Sequence, residues 1–122
     1  WSMLLTGNYR CVLPEGSRPI KEAVHGDIDL SRRIYELVNE IVSRLGADPE
    51  DRVPFEKYAN AANGLLKPSS AARAIDGGAQ RVERVDMLVT LIAEQVGVSV
   101  SELSGIVETV NARLKANALE HT

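Results

Sequence analysis

Two serines behind a proline, in Lys67-Pro68-Ser69-Ser70-Ala71, are the residues of this chain best suited to binding chemistry. A serine in that place caps the helix that follows, and a helix start with free backbone donors is also a natural seat for a carboxylate, so capping and ligand contact are both open to Ser69 and Ser70. Arg81, Glu83, Arg84 and Asp86 form a charged run whose plain reading is a solvated face with local ion pairs. The single cysteine, Cys11, lies in the apolar run Cys11-Val12-Leu13 and reads as a buried, inert thiol. His25 and His121 have no Cys or Glu at the spacing that zinc requires, so no metal is expected.

These side chains must be carried by one domain. A chain of 122 residues buries enough surface to fold without disulfides or a metal. Its composition is 44% apolar and 25% charged with a formal net charge of -3, which suits a cytoplasmic-type protein and offers no general attraction to nucleic acid or anionic membrane. No apolar run approaches the roughly 18 residues needed to cross a bilayer, and no export signal is visible at the start. The opening Trp1 in place of Met is what a processed or truncated product would show, and a tryptophan exposed at a chain end hints at a missing neighbour.

Apolar residues recur at spacings of three and four from Asp29 to Gly46 (Leu30, Ile34, Leu37, Val38, Ile41, Val42, Leu45), which predicts a helix capped by Asp29 and closed by Gly46. Pro54 to Leu66 predicts a second helix, stopped by Lys67-Pro68 because the residue before proline avoids helical angles. A short helix runs from Ser69 or Ser70 through Ile75 to the Gly77-Gly78 stop. Val82, Val85, Leu88, Val89, Ile92 and Val96 mark a third long helix, and Ser99 with Glu102 forms a capping box opening a fourth, with Leu103, Val107, Val110 and Leu114 inward. Trp1 to Leu13 is apolar enough for a short helix, and a loop with the segment Ile20 to Val24 follows. No convincing strand appears, so the expected fold is all-α, a single-domain bundle of about five to seven helices with a core mainly of Leu, Ile, Val and Ala. Asn60 and Asn63 on the second helix receive no role.

The stretch Ile92 to Ser99, continuing to Leu103 and Ile106, has the spacing of a helix-turn-helix with glycine at the turn. The residues that would enter a DNA groove include Val100, Ser101, Glu102, Ser104 and Gly105, with no Arg or Lys before Arg113. Phosphate contacts supply much of the affinity of such proteins, so nucleic acid is not the expected partner.

Taken together, Trp1-Ser2-Met3-Leu4-Leu5, Pro68-Ser69-Ser70, Gly77-Gly78 and the helix ending at Gly97-Val98 resemble the C-terminal helical domain of ketopantoate reductases, a domain of the 6-phosphogluconate dehydrogenase C-terminal type. Those enzymes reduce ketopantoate with NADPH on the route to pantothenate, joining an N-terminal Rossmann domain to a helical substrate domain. The resemblance implies the substrate half of an NADP-dependent 2-oxo acid reductase, with a Rossmann domain and a small carboxylate substrate as partners, a subunit interface that makes a homodimer, and a cytoplasmic setting. It implies no activity for this chain alone. The family's proton-donating lysine falls on Met3, and a thioether cannot replace a general acid worth about 10²–10⁴ in rate. The family's asparagines fall on Gly7 and Cys11, with Asn8 one residue out of phase, about 100° away on an α-helix. Its carboxylate-holding serine falls on Ser69, and its hydroxyl-gripping glutamate on Arg81, two residues from Glu83; an arginine there can hold a carboxylate bidentately. The implied substrate contacts are therefore Ser69 first, then Ser70, Asn8 and Arg81. The chain has no Gly-x-Gly-x-x-Gly, so it is not expected to hold NADP by itself.

Overall fold

The computed structural model describes residues 2–46, 53–98 and 101–120. The fold is all-α. A π-helical turn, Leu4–Asn8, runs into a 3₁₀ turn, Tyr9–Cys11, and six α-helices follow: α1 Ile20–His25, α2 Ile28–Arg44, α3 Phe55–Ala62, α4 Ser70–Asp76, α5 Val85–Val96 and α6 Ser101–Glu120. The one backbone pairing of β type among the described residues is an isolated antiparallel bridge between Val12 and Ser17.

Helix α2 forms where the three-four spacing predicts it, but its cap is Asp27. The Leu30 N–H donates to Asp27 Oδ1 at 3.2 Å, which places Asp29 inside the first turn, where its charge faces the positive end of the helix. Gly46 closes the helix with φ +99°, a conformation that disfavours a Cβ. Ile34, Val38 and Ile41 are buried on one face and join Val89 and Ala93 of α5, Leu103, Ile106 and Val110 of α6, and Ala72 and Ile75 of α4 in the main core. Each large aliphatic side chain buried this way contributes about 1.5–3 kcal/mol.

Helix α3 ends at Ala62, short of the expected Leu66. The carbonyls of Leu65 and Lys67 instead accept from the N–H groups of Lys21 and Ile20, both at 3.0 Å. These are unpaired donors at the start of α1, and supplying them takes 65–67 out of the helix, with Leu65 and Leu66 exposed. The core is mainly Leu, Ile, Val and Ala, as expected. A second cluster is aromatic: Tyr35 meets Phe55 edge-on and stacks on Tyr58, each with ring centroids 5.4 Å apart.

Helix α5 starts at Val85, leaving Val82 in an extended segment before it. It ends at Gly97, φ +76°, with the Val98 N–H reaching the Ala93 carbonyl at 2.9 Å, a Schellman closure. The proposed capping partner of Glu102, Ser99, lies outside the described residues, as do Trp1 and His121. In α6, Leu103, Ile106 and Val110 are buried, whereas Val107 and Leu114 are half-buried. Asn117 continues the inward face as a polar residue and donates from Nδ2 to the carbonyls of Ile75 at 2.9 Å and Ala79 at 2.7 Å, tying α6 to the end of α4.

Candidate functional site

Asn8 reaches a site because the first turn is not an α-helix. The Tyr9 N–H closes on the Leu4 carbonyl, one residue farther than an α-helical bond, so the wider turn adds a residue. The wider turn changes the facing of the residues that follow it, and Asn8 lies at its end. Gly7, the in-phase position, is packed against Tyr58. A Cβ at Gly7 would lie 1.9 Å from Tyr58 Oη, so no side chain fits there unless the ring moves.

A cavity of about 290 Å³ opens beside this turn. Leu4, Asn8 and Tyr9 form one wall, Ser70 and Ala71 at the start of α4 a second, and Val82 and Glu83 a third. Two hydroxyls hold the walls together. Ser69 Oγ donates to the Asn8 carbonyl at 2.7 Å and accepts from the Ala72 N–H at 3.2 Å, so one side chain both caps α4 and fastens it to the N-terminal turn. Tyr9 Oη donates to the Glu83 carbonyl at 2.5 Å and accepts from the Val85 N–H at 3.0 Å, which fixes the third wall and starts α5. Burial pushes the Tyr9 phenol up, with the Val85 N–H opposing.

Of the four residues implied as substrate contacts, Asn8 and Ser70 share this cavity. Ser69 stands behind it, 3% exposed with its hydroxyl occupied in the cap and the tie to Asn8. Arg81 is exposed and is not among the lining residues. Glu83 is the one acidic residue of the lining. Met3 is 39% exposed, and its carbonyl lies 3.4 Å from Tyr58 Oη.

The charged run is not simply a solvated face. Asp86 is fully buried, and Arg84 grips both of its carboxylate oxygens, from Nε at 3.0 Å and Nη2 at 2.9 Å. Arg84 Nη1 also reaches Asn111 Oδ1 at 2.5 Å on α6, so the pair locks α5 to α6 and is spent on structure. The sequence predicts a local ion pair in this run and Arg84–Asp86 is one, two residues apart; its burial and the tethering role of Tyr9 are not predicted, because they depend on residues far along the chain.

Cys11 is fully buried and donates to the Gly7 carbonyl at 2.9 Å; burial raises its thiol, with the Ser69 N–H and hydroxyl opposing. His25 Nε2 lies 2.7 Å from the Ala59 carbonyl. Among the described residues no group of three or more His, Cys, Asp or Glu is arranged to hold a metal. Asn60 and Asn63 are exposed. In α6, Arg113 turns inward to the carbonyls of Leu13 and Gly16 and to Asp76, so the basic side chain nearest a would-be recognition helix is engaged within the chain. The Ser17 hydroxyl and Arg113 together hold the Asp76 carboxyl below its usual range. No helix among the described residues is long and apolar enough to cross a membrane. Comparison of the chain with protein-family models, curated proteins and solved structures finds no match in any of the three.

Proposed function

We propose that this chain is the helical substrate-binding domain of a ketopantoate-reductase-like oxidoreductase, and that the cavity between Asn8, Ser70 and Glu83 is its share of the cleft for a 2-oxo acid. The observation that carries the reading is the meeting of Asn8 and Ser70 in one open cavity. Both are secondary candidates, each one residue from a position the resemblance matched, Gly7 and Ser69, and they come from opposite halves of the chain. In this reading Asn8 and Ser70 donate to the acid, and the Glu83 carboxylate accepts from a substrate hydroxyl in place of the family's glutamate. Ser69 and Tyr9 are positioning residues.

The residues present do not fit NADP. The sequence lacks the glycine-rich turn, and no strand among the described residues could precede one. The cofactor, the hydride and the missing general acid would therefore come from a Rossmann domain, and the chain alone is expected to oxidise no NADPH with ketopantoate. Intact mass measurement of the native product, set against its open reading frame, tests the assignment. A frame carrying a Gly-x-Gly-x-x-Gly segment ahead of Trp1 supports it; a native product beginning near Trp1, with no nucleotide-binding protein co-purifying, argues against it.

The second reading, a helical interaction or dimerisation module, is favoured by the exposed apolar side chains Met87, Leu88 and Leu91 on α5. Sedimentation velocity tests whether α5 forms such an interface. A dimer lost on Leu91→Glu supports the module, and a monomer at every concentration removes it.

A further inference from the structure

Arg10 is a buried cation without a counter-ion. It is only 8% exposed, yet among the described residues no carboxylate comes within ion-pair distance of it. Its hydrogen bonds all leave from Nη1, to the Thr6 carbonyl at 3.2 Å and Ser31 Oγ at 2.7 Å. Nε and Nη2 carry none among the described residues. Among the described residues, Thr6 Oγ1 is the one sealed side-chain polar atom that lacks a partner, so the free N–H groups of Arg10 still border accessible space.

That space is a cavity of about 260 Å³ whose lining has only Tyr9 in common with that of the Ser70 cavity. Arg10 and Arg18 line it together, with an apolar floor that includes Leu30, Ile34 and Ile106. Arg18 Nε donates to the Arg10 backbone carbonyl at 2.9 Å, and the Arg18 charge acts on the Arg10 guanidinium. Desolvation and the Arg18 charge both press the Arg10 guanidinium toward losing its proton. Two carboxylates stand nearby. Asp27, which partly offsets that pressure, is used as the cap of α2, and Glu102 at the rim is exposed and takes a hydrogen bond from Ser101 at 3.1 Å. An isolated buried charge is unfavourable until an opposite charge meets it, and the guanidinium fork matches a carboxylate in shape.

We propose that this cavity is a second binding site, for a small organic monocarboxylate whose head lies between Arg10 and Arg18 and whose short apolar body covers Leu30, Ile34 and Ile106. The proposal is independent of the assignment made for the Ser70 cavity. An apolar floor with charge at one end selects such a molecule over a bare inorganic anion.

The test is a titration of the full chain with 3-methylbutanoate at constant ionic strength, followed by amide NMR, with 3-methylbutanamide and inorganic phosphate as comparison probes. Saturable shifts at Leu30, Ile34 and Ile106, with Asn8 and Ser70 unmoved, are expected. The neutral amide should bind roughly ten-fold more weakly or worse, and so should the acid on an Arg18→Gln variant, since each change removes a charge-assisted hydrogen bond. Arg18 is half-buried, so this variant should fold even if Arg10→Met does not. Absence of saturation, equal binding of acid and amide, shifts confined to other residues, or tighter binding of phosphate than of 3-methylbutanoate would each overturn the proposal.

Discussion

Around α2, α5 and α6 the buried contacts are aliphatic and recur at helical spacing; around the N-terminal turns they are hydroxyls, carbonyls and a guanidinium group. Ile34, Val38, Ile41, Val89, Leu103 and Val110 fill the first region. Thr6, Arg10, Ser31 and Ser69 are buried in the second. Apolar packing is indifferent to direction, whereas a hydrogen bond fixes distance and angle, so the first region supplies stability and the second sets geometry. Both cavities that carry functional proposals border the N-terminal turns. Two arginines make the same point. Arg84 has a carboxylate and locks two helices, whereas Arg10 has none and faces a cavity.

This contrast is most strongly tested where charge enters the helical region. Asp86→Ala leaves Arg84 with no carboxylate in a largely buried site, and unfolding by denaturant should show a loss of about 3–5 kcal/mol. A loss below about 1 kcal/mol would mean that the pair is solvated and the locking role wrong. Ile41→Ala, a cavity-forming change in the same region, should cost about 2–4 kcal/mol while leaving the amide shifts of Asn8 and Ser70 in place. Tyr9→Phe in the polar region should cost less, about 1–3 kcal/mol, because it removes one hydroxyl with two partners. Its distinguishing effect is local: hydrogen exchange at Val85 should accelerate while exchange in α2 keeps pace with global unfolding.

The smallest effect is one of pH. Burial pushes the Tyr58 phenol up to about 12 from 10.0, with the neighbouring Cys11 adding to the shift, so the folded state holds this proton more tightly than the unfolded chain. Stability is therefore intact below pH 10 and falls as the pH rises from 10 toward 12. Tyr58→Phe should flatten that part of the stability curve, and an unchanged slope would show that other groups cause it.

The regular region was legible from sequence because its information is local. The three-four spacing found α2, most of α5 and the buried face of α6, and the Gly46, Gly77-Gly78 and Gly97 stops fell where expected. What stayed hidden is settled by partners far along the chain. Helix α5 begins at Val85, not Val82, because a hydroxyl 76 residues earlier takes the Val85 N–H. Helix α3 stops early because α1 needs the carbonyls of Leu65 and Lys67. Asp27 and Asp29 are equally good caps by type, and the helix start selected the earlier one. At the site, Ser69 and Ser70 could not be separated by residue type; their burial assigns one to the cap and the other to the cavity wall. Asn8 lies at the end of a π-helical turn, which α-helical spacing does not anticipate.

The most direct test of the central assignment is a calorimetric and amide-NMR titration of the chain with ketopantoate, run in parallel on Asn8→Ala and Ser70→Ala variants of unchanged stability. The account predicts saturable binding with shifts at Asn8, Ser70 and Glu83, weakened roughly ten-fold by either variant. Binding that both variants leave intact, or no binding at all, would contradict it.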